Sequence, residues 1–335
     1  MRIGENPQKT NTSELKKKHH RIVMVFFIPE IKKEGNESYY LNLGKILDLS
    51  LSSLIDTINL ETTNITLINN ASSNTIDSIV NKHVKHIDKY VIYNENKGKV
   101  NAVINEARAV YEDFLTITDS DILFYPGWEK ASIALFRDFK KVGAVSPYPF
   151  PYSPFYVNKS TFGCNSLKGN IKYGKYIEDK EINLYVKGTS LPNIINRGDG
   201  FLNWRDKHFI LKNNSKIAVV GSFHVVGTYR SKLFRDEYNF PNVVFKNHYE
   251  EKFIDCLADR KGYIKLSTLA TYIYHIGNEM DDVSKNWNKG NSNKDMIERS
   301  HFNDLNIEED NTKFSILLNR VIGHLFIKYI WRKLK

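Results

Sequence analysis

The carboxylates of Asp119 and Asp121 interrupt an apolar run that is otherwise typical of a buried strand. Residues 114–124 read FLTITDSDILF, with the two acids near the middle. Alternate side chains of an extended chain point the same way, so both carboxylates can approach one point. Such a pair of oxygen ligands suits Mg²⁺ or Mn²⁺, which keeps open coordination positions for diphosphate oxygens. Solvated turns also produce many Asp-x-Asp tripeptides, so this spacing alone is weak evidence for metal binding.

The elements around the two acids strengthen the metal hypothesis. From Ile22 the chain alternates short apolar runs with amphipathic segments, the pattern of an α/β fold with a mainly parallel sheet flanked by helices. Apolar residues at helical spacing predict crossover helices over about 43–58 and 100–112. Ligands of open α/β sheets bind outside the carboxyl ends of the strands, which is where the acids would stand. The predicted strands are residues 22–28, 65–68, 91–93, 114–117 and 142–146.

The pattern becomes less regular after Ser146, where an aromatic and Pro-rich run leads into a stretch rich in Gly, Asn and Lys. We interpret residues 147–214 as loop-rich and mostly β. Helical spacing resumes at about 249–261, and a strand-like run follows at 271–274. The predicted organisation is a polar extension (1–20), an α/β half (21–146), a second half (147–280) and a C-terminal helical extension (281–335).

Composition narrows the choice of partners. The net charge of +10 indicates an acidic partner, which could be nucleic acid, an anionic membrane surface or a phosphate-bearing small molecule. The absence of an Arg-rich arm and of zinc-finger spacing argues against nucleic acid. Cys164 and Cys256 are too few for a disulfide framework and lack metal-ligand spacing, so they favour a reducing cytoplasm. Residues 314–334 predict a basic amphipathic helix, which either packs on the core or contacts an anionic membrane through residues 314–335.

Together with Asp-x-Asp, an ordered set of blocks resembles the glycosyltransferases of family 2, which have the GT-A fold. ITLINNASSN (65–74) is similar to the family's second strand and its following turn, and NENKGKVNAVIN (94–105) is similar to the Asn-x-Gly-Lys block. YEEKFIDCLADRKGY (249–263) resembles the acidic pair that opens a helix ending in Gly-Tyr. ATYIYHIGN (270–278) resembles the strand that ends in a metal-site histidine.

The resemblance assigns a nucleotide-sugar site to residues 21–146. It implies contacts with the nucleotide from Pro29, Asn69, Asn70, Lys99 and Asp119. Asn69 and Asn70 stand where the family often has Asp, so they would bind the base or ribose by hydrogen bonds. Lys99 would supply a positive charge for phosphate beside the free N–H groups of a helix start. An ordinary helix-starting loop is the alternative interpretation of that block.

The resemblance also implies a metal site and a catalytic base. Asp121 would bind Mn²⁺ or Mg²⁺ directly, with Asp119 and His275 assisting. Glu251 stands where the family usually has the Asp that deprotonates the acceptor hydroxyl, and a Glu can perform the same task. Two alternatives stay open: His275 as a core histidine, and Glu251 as an acid favoured at a helix N-terminus.

These features predict an inverting glycosyltransferase that uses a nucleotide diphosphate sugar, with a UDP-sugar as the expected donor. The acceptor, bound by residues 147–280, would be a hydroxyl of a glycan or lipid-linked molecule in surface polysaccharide synthesis. The protein would be cytoplasmic, at or near the inner face of the membrane. Two other classes are open: a catalytically inactive glycan-binding or scaffold protein of the same fold, and a sugar-phosphate nucleotidyltransferase.

Overall fold

The computed structural model describes residues 17–30, 40–188, 203–237, 243–244, 249–287, 296–303, 305 and 311–334. Within these residues the strands are β1 (His20–Phe26), β2 (Thr63–Asn70), β3 (Lys89–Tyr93), β4 (Phe114–Asp119), β5 (Ile122–Phe124), β6 (Val142–Ser146), β7 (Ile171–Gly174), β8 (His208–Asn213), β9 (Lys216–Val220), β10 (Val226–Arg230), β11 (Ile264–Ser267) and β12 (Ile273–His275). The helices are α1 (Leu43–Thr57), α2 (Asp77–His83), α3 (Lys99–Ala107), α4 (Trp128–Asp138), α5 (Lys159–Asn165), α6 (Asp179–Gly188), α7 (Lys232–Arg235), α8 (Cys256–Arg260), α9 (Asp282–Lys285), α10 (Ser300–Asn303) and α11 (Lys313–Leu334). A π-helical turn, Glu251–Asp255, leads into α8.

Ten of the described strands form one mixed sheet in the order β3-β2-β1-β4-β10-β6-β11-β9-β8-β7. The strands β3, β2, β1 and β4 are parallel, and β6 is parallel to β11. The strand β10 runs antiparallel between β4 and β6. The predicted α/β fold with a parallel core is therefore confirmed, and a separate two-stranded sheet, β5 with β12, lies beside it.

Strand β1 shows why the parallel core is so apolar. Ile22, Met24 and Phe26 belong to the hydrophobic cluster that includes α1, whereas Val23 and Val25 belong to the cluster that includes α3. Alternate residues of a strand face opposite sides of a sheet, so helices on both faces require apolar residues at every position. The carboxyl ends of β1, β2 and β4 lie at the same edge, because these strands are parallel.

Two sequence expectations differ from the structure, and one central strand was not predicted. The predicted helix over 100–112 ends at Ala107, where a turn leads to β4. The region 147–214 holds α5 and α6 as well as strands, because Phe162 and Ile182 each bury an apolar helical face in the core. Strand β10 was not predicted, and it belongs to the centre of the sheet.

The C-terminal helix α11 packs closely on α5. A Cβ atom added at Gly163 would lie 1.7 Å from the carbonyl oxygen of Asn319, and one added at Gly323 would lie 1.9 Å from that of Lys159. Backbone contact at this crossing therefore requires glycine on both helices. The rings of Phe162 and Phe326 stack beside it, with centroids 5.6 Å apart. Among the described residues, no helix has the length and apolar character needed to cross a membrane.

Candidate functional site

Asp119 and Asp121 lie at the point where the chain leaves the large sheet and enters the small one. Asp119 is the last residue of β4, and its backbone N–H donates to the carbonyl of Val225 at 3.1 Å. The carbonyl of Asp121 accepts from the N–H of Ile276 at 2.8 Å. The two acids are thus fixed by two different sheets, and both side chains line one cleft.

His275 joins Asp121 because β12 pairs antiparallel with β5, which places His275 opposite Ile122. Its Nε2 lies 3.0 Å from Oδ2 of Asp121, and its Nδ1 lies 3.1 Å from the carbonyl oxygen of Gly188. Burial would lower the pKa of His275, but the Asp121 and Asp119 carboxylates raise it to about 9. At neutral pH both ring nitrogens therefore donate, and the imidazolium neutralises Asp121.

Lys99 is the first residue of α3, and its ammonium group forms an ion pair with Asp119. The turn before it requires Gly98, whose φ of +71° is strained for other residues. The ammonium also lies 3.8 Å from Oε1 of Glu250. Burial would lower the pKa of Lys99, but Asp119 and Glu250 raise it above its usual value. Lys99 therefore remains a cation in the cleft.

The cleft has a volume of about 530 Å³ and opens at the carboxyl edge of the parallel strands. One wall is apolar and comes from the end of β1, from Tyr40 and from α1. Phe27 lies on this wall with 42% of its surface exposed. The polar lining comprises Asn70, Asn96, Lys99, Asp119, Ser120, Asp121 and Asn278.

The donor atoms around Asp121 suit a divalent cation. Oδ1 of Asp121 is buried and has no hydrogen-bond partner among the described residues. Two carboxylates and an imidazole form a donor set that suits Mn²⁺ or Mg²⁺. The described residues contain no group of three His, Cys, Asp or Glu side chains already arranged as metal ligands. Binding a cation would require His275 to lose its proton and Asp119 to separate from Lys99, and the residue types present fit that exchange.

The predicted nucleotide residues differ in what they contact. Asn70 lines the cleft, donates from Nδ2 to Oδ1 of Asn96 at 2.9 Å and accepts from the N–H of Lys97 at 2.8 Å. The Asn69 side chain makes structural hydrogen bonds instead. Its Oδ1 accepts from the N–H of Ser72, and its Nδ2 donates to the Tyr90 hydroxyl. Sequence reasoning did not single out Asn96, although it lies within the NENKG block.

Pro29 follows β1 and is half-buried. The preceding residue, Ile28, lines the cleft and donates its N–H to Oγ of Ser72 at 2.9 Å. Ser72 thus connects the chain after β1 with the turn after β2. This places Pro29 at the same edge of the sheet as Asn70, and its contact with a nucleotide remains a prediction.

The two adjacent acids Glu250 and Glu251 have different surroundings. Glu250 is half-buried and turned toward Lys99, as the 3.8 Å distance shows. Glu251 begins the π-helical turn and has an exposed side chain. Burial raises the pKa of Tyr156, and the Asp255 and Glu251 charges add to that rise. Burial lowers the pKa of Lys265, and Glu251 opposes that lowering together with Asp255. Glu251 is therefore the more exposed acid of the pair.

A buried polar network lies next to this turn and was missed in the sequence. Oδ2 of Asp255 accepts from the Tyr156 hydroxyl at 2.9 Å and lies 2.7 Å from Nδ1 of His224. Burial would raise the pKa of Asp255, but His224 and Lys265 hold it below its usual value. The Lys265 ammonium is fully buried, 5.2 Å from the centroid of the Tyr156 ring. His224 precedes Val225, whose carbonyl accepts the hydrogen bond from the N–H of Asp119. This network therefore lies next to the backbone contact at the end of β4.

One family model matches part of the chain. The model of glycosyl transferase family 2 matches residues 38–202. The comparison with curated protein sequences gives no match.

Solved structures similar to this chain include the mannosyltransferase PcManGT from Pyrobaculum calidifontis in complex with GDP-Man and Mn²⁺. Its identity is 12% and its TM-score 0.41, over 75% of this chain and 55% of that one. S. aureus TarS 1-349 is also similar, in complex with UDP (14% identity, TM-score 0.42, 76% of this chain and 60% of that one). The TarS complex with UDP-GlcNAc has 11% sequence identity to this chain and a TM-score of 0.42. The match covers 81% of this chain and 61% of that one. This chain thus spans between 55% and 61% of the length of these structures.

Proposed function

We propose that this chain, whose residues 38–202 match the model of glycosyl transferase family 2, transfers a monosaccharide from a nucleotide diphosphate sugar to an acceptor hydroxyl with inversion at the anomeric carbon. The observation that carries the proposal is that Asp119, Asp121 and Lys99 line one cleft, while His275 contacts the Asp121 carboxylate at 3.0 Å. Two carboxylates, an imidazole and an ammonium group match a cation and the diphosphate that it would share.

The apolar and amide walls of the cleft are assigned to the nucleoside. The exposed ring of Phe27 offers a surface on which a base can stack. Asn70 and Asn96 hold each other in place and can hydrogen-bond a uracil or ribose, which is why a UDP-sugar is the proposed donor. Lys99 would exchange its contact with Asp119 for a phosphate oxygen.

Asp121, Asp119 and His275 would hold Mn²⁺ or Mg²⁺. A cation bound there would neutralise the negative charge that develops on the leaving diphosphate. Glu251 would accept the proton of the acceptor hydroxyl, whose oxygen attacks the anomeric carbon from the face opposite the nucleotide. Glu250, held by Lys99, would position that ammonium group near the phosphates rather than act as the base.

The proposed acceptor follows from the exposure of Glu251. A glycan or lipid-linked hydroxyl fits a base that is open to solvent, and a role in surface polysaccharide synthesis follows from that acceptor class. Two free cysteines and the basic C-terminal helix fit a cytoplasmic protein that works at the inner membrane face.

Two alternatives compete with this function. A sugar-phosphate nucleotidyltransferase needs a Gly-rich phosphate loop after the first strand, where this chain has Pro29 and Glu30. A scaffold of the same fold that binds glycans without turnover would not need the cation or the nucleotide.

Binding measurements separate the scaffold from the enzyme. A thermal-shift panel of nucleotide sugars, with and without Mn²⁺, should show a cation-dependent shift for one nucleotide class in wild type and none in Asp121→Ala. A matched control is Asp179→Ala, which removes an acid from the surface with its side chain 70% exposed. Equal binding by all three proteins in both conditions would refute the proposal.

A further inference from the structure

The outward face of α11 carries a continuous row of exposed apolar side chains, which we name the α11 stripe. Its members recur at helical spacing, so they lie on one side of the helix. Their exposed fractions range from 47% to 75%. They are Phe314, Leu317, Leu318, Val321, Leu325 and Tyr329.

The stripe is separate from the face by which α11 packs on the protein. Gly323 and Asn319 make the backbone contact with α5, and Phe326, Ile327 and Ile330 pack against the main core. The docked face therefore satisfies the need of the helix for tertiary contact. Packing on the core does not account for the second apolar face. Single exposed apolar residues are normal on a protein surface, but a contiguous row of them marks an interaction surface.

The charge of this segment identifies the kind of surface it fits. Residues 311–335 contain six Lys or Arg and no Asp or Glu, in a chain whose whole net charge is +10. Lys313 and Lys328 are exposed on the helix that carries the stripe. An open groove of about 470 Å³ along the helix combines Leu317, Val321 and Leu325 with the basic side chains of Lys159, Lys313, Arg320 and His324.

We propose that the α11 stripe binds the surface of an anionic lipid bilayer, with its apolar side chains in the interfacial layer and the flanking basic residues on the headgroups. An apolar row bordered by cations is the pattern of helices that lie in a membrane interface. Lys313 and Lys328 supply exposed cations here, whereas Arg320 is ion-paired with Asp259 at 3.5 Å. Each basic residue near an anionic surface adds to the attraction. A second copy of this chain is a poorer occupant, because two such helices would bring like charges together. The proposal concerns the outer face of α11 and stands independently of the transfer reaction.

The test is vesicle flotation with the full chain. Wild type should float with vesicles of phosphatidylcholine mixed with phosphatidylglycerol, remain behind with pure phosphatidylcholine, and dissociate as salt is raised. The partition coefficient of the double variant Leu317→Gln/Leu325→Gln on anionic vesicles should be at least about tenfold lower than that of wild type. Each leucine withdraws apolar area from water on binding, and glutamine does not. The control Ile92→Gln removes one equally exposed apolar side chain, 60% exposed on β3, and should float as wild type does.

Circular dichroism and melting temperature establish that each variant is folded, so that loss of flotation reports the surface. Wild type that fails to float with anionic vesicles overturns the proposal. So does a folded double variant that floats equally well. Light scattering that shows a dimer in wild type and a monomer in the double variant would assign the stripe to a second copy instead, and would also overturn it.

Discussion

Nε2 of His275 lies 3.0 Å from Oδ2 of Asp121, although the two residues are 154 positions apart in the sequence. The contact exists because β12 adds to β5 in a small sheet outside the main one. The second carboxylate oxygen of Asp121, Oδ1, is buried without a partner among the described residues. A buried carboxylate oxygen without a partner is costly, and a cation would satisfy it. This relationship connects the geometry of the cleft to its proposed chemistry.

Replacement of His275 by Asn should weaken Mn²⁺-dependent nucleotide binding by at least about tenfold, since loss of a ligand or of its orienting partner commonly has that effect. Isothermal titration of Mn²⁺ in the presence of UDP measures it. The matched control is His83→Asn, which removes another imidazole–carboxylate pair, with Asp48 at 2.7 Å, on α2 away from the cleft. Equal loss in both variants would mean that His275 acts on stability alone.

Lys99→Gln should raise the Kd for a nucleotide diphosphate by roughly tenfold, equivalent to about 1.4 kcal/mol. The same change should leave Mn²⁺ binding intact or stronger, because Asp119 loses its ammonium partner. Lys97→Gln is the control, since Lys97 is two residues away and pairs with the exposed Glu95. If Lys97→Gln weakens nucleotide binding as much as Lys99→Gln, the contact with phosphate is wrongly assigned.

Glu251→Gln should reduce transfer to the acceptor by roughly 10²- to 10⁴-fold, the usual contribution of a general base. Donor binding should be unchanged, because the exposed Glu251 side chain lies outside the cleft lining. Glu250→Gln should act in the opposite way, by altering the donor Kd through Lys99 with a smaller effect on the transfer step. Single-turnover kinetics at saturating donor separate the two effects. A larger loss of the transfer step in Glu250→Gln would exchange the roles of these acids.

Asp255→Asn should lower the free energy of unfolding at neutral pH by about 1–3 kcal/mol, because it weakens a buried hydrogen-bonded charge network. The folded-state pKa of Asp255 is lowered by His224 and Lys265, so its charge contributes stability above the unfolded pKa of 3.8. That contribution is lost as pH falls through the folded-state pKa. The difference in melting temperature between wild type and variant should therefore be largest near neutral pH and shrink in acid. A difference that grows in acid would contradict this account.

The sequence predicted the parts of this structure that follow from local pattern. Fully apolar runs predicted β1, β2, β4 and β6 within about two residues, since strands covered on both faces require such runs. Asp119 at the end of β4 and Asp121 just after it were predicted for a related reason, because carboxylates within an apolar run require a role. The resemblance to a family added His275, whose partner Asp121 is set by strand pairing over a long sequence separation.

What the sequence could not predict depends on side-chain direction and on long-range pairing. The letters EE do not distinguish Glu250, which faces Lys99, from Glu251, which faces solvent. Asn69 and Asn70 are adjacent and equally polar, yet neighbouring residues of a strand point to opposite faces, and it is Asn70 that reaches the cleft. The stripe on α11 was visible as an amphipathic pattern, but which apolar residues pack on the core is decided by Gly163 and Gly323.

The most direct test of the central claim is release of the nucleotide diphosphate from a nucleotide sugar in the presence of Mn²⁺. Wild type and Asp179→Ala should release it at the same rate, with stimulation by an acceptor that carries a free hydroxyl. Asp121→Ala, checked to be folded by its melting transition, should fall to the background of the reaction without enzyme. Equal rates in wild type and Asp121→Ala, or cation-independent release, would contradict a transferase whose site is built on Asp119 and Asp121.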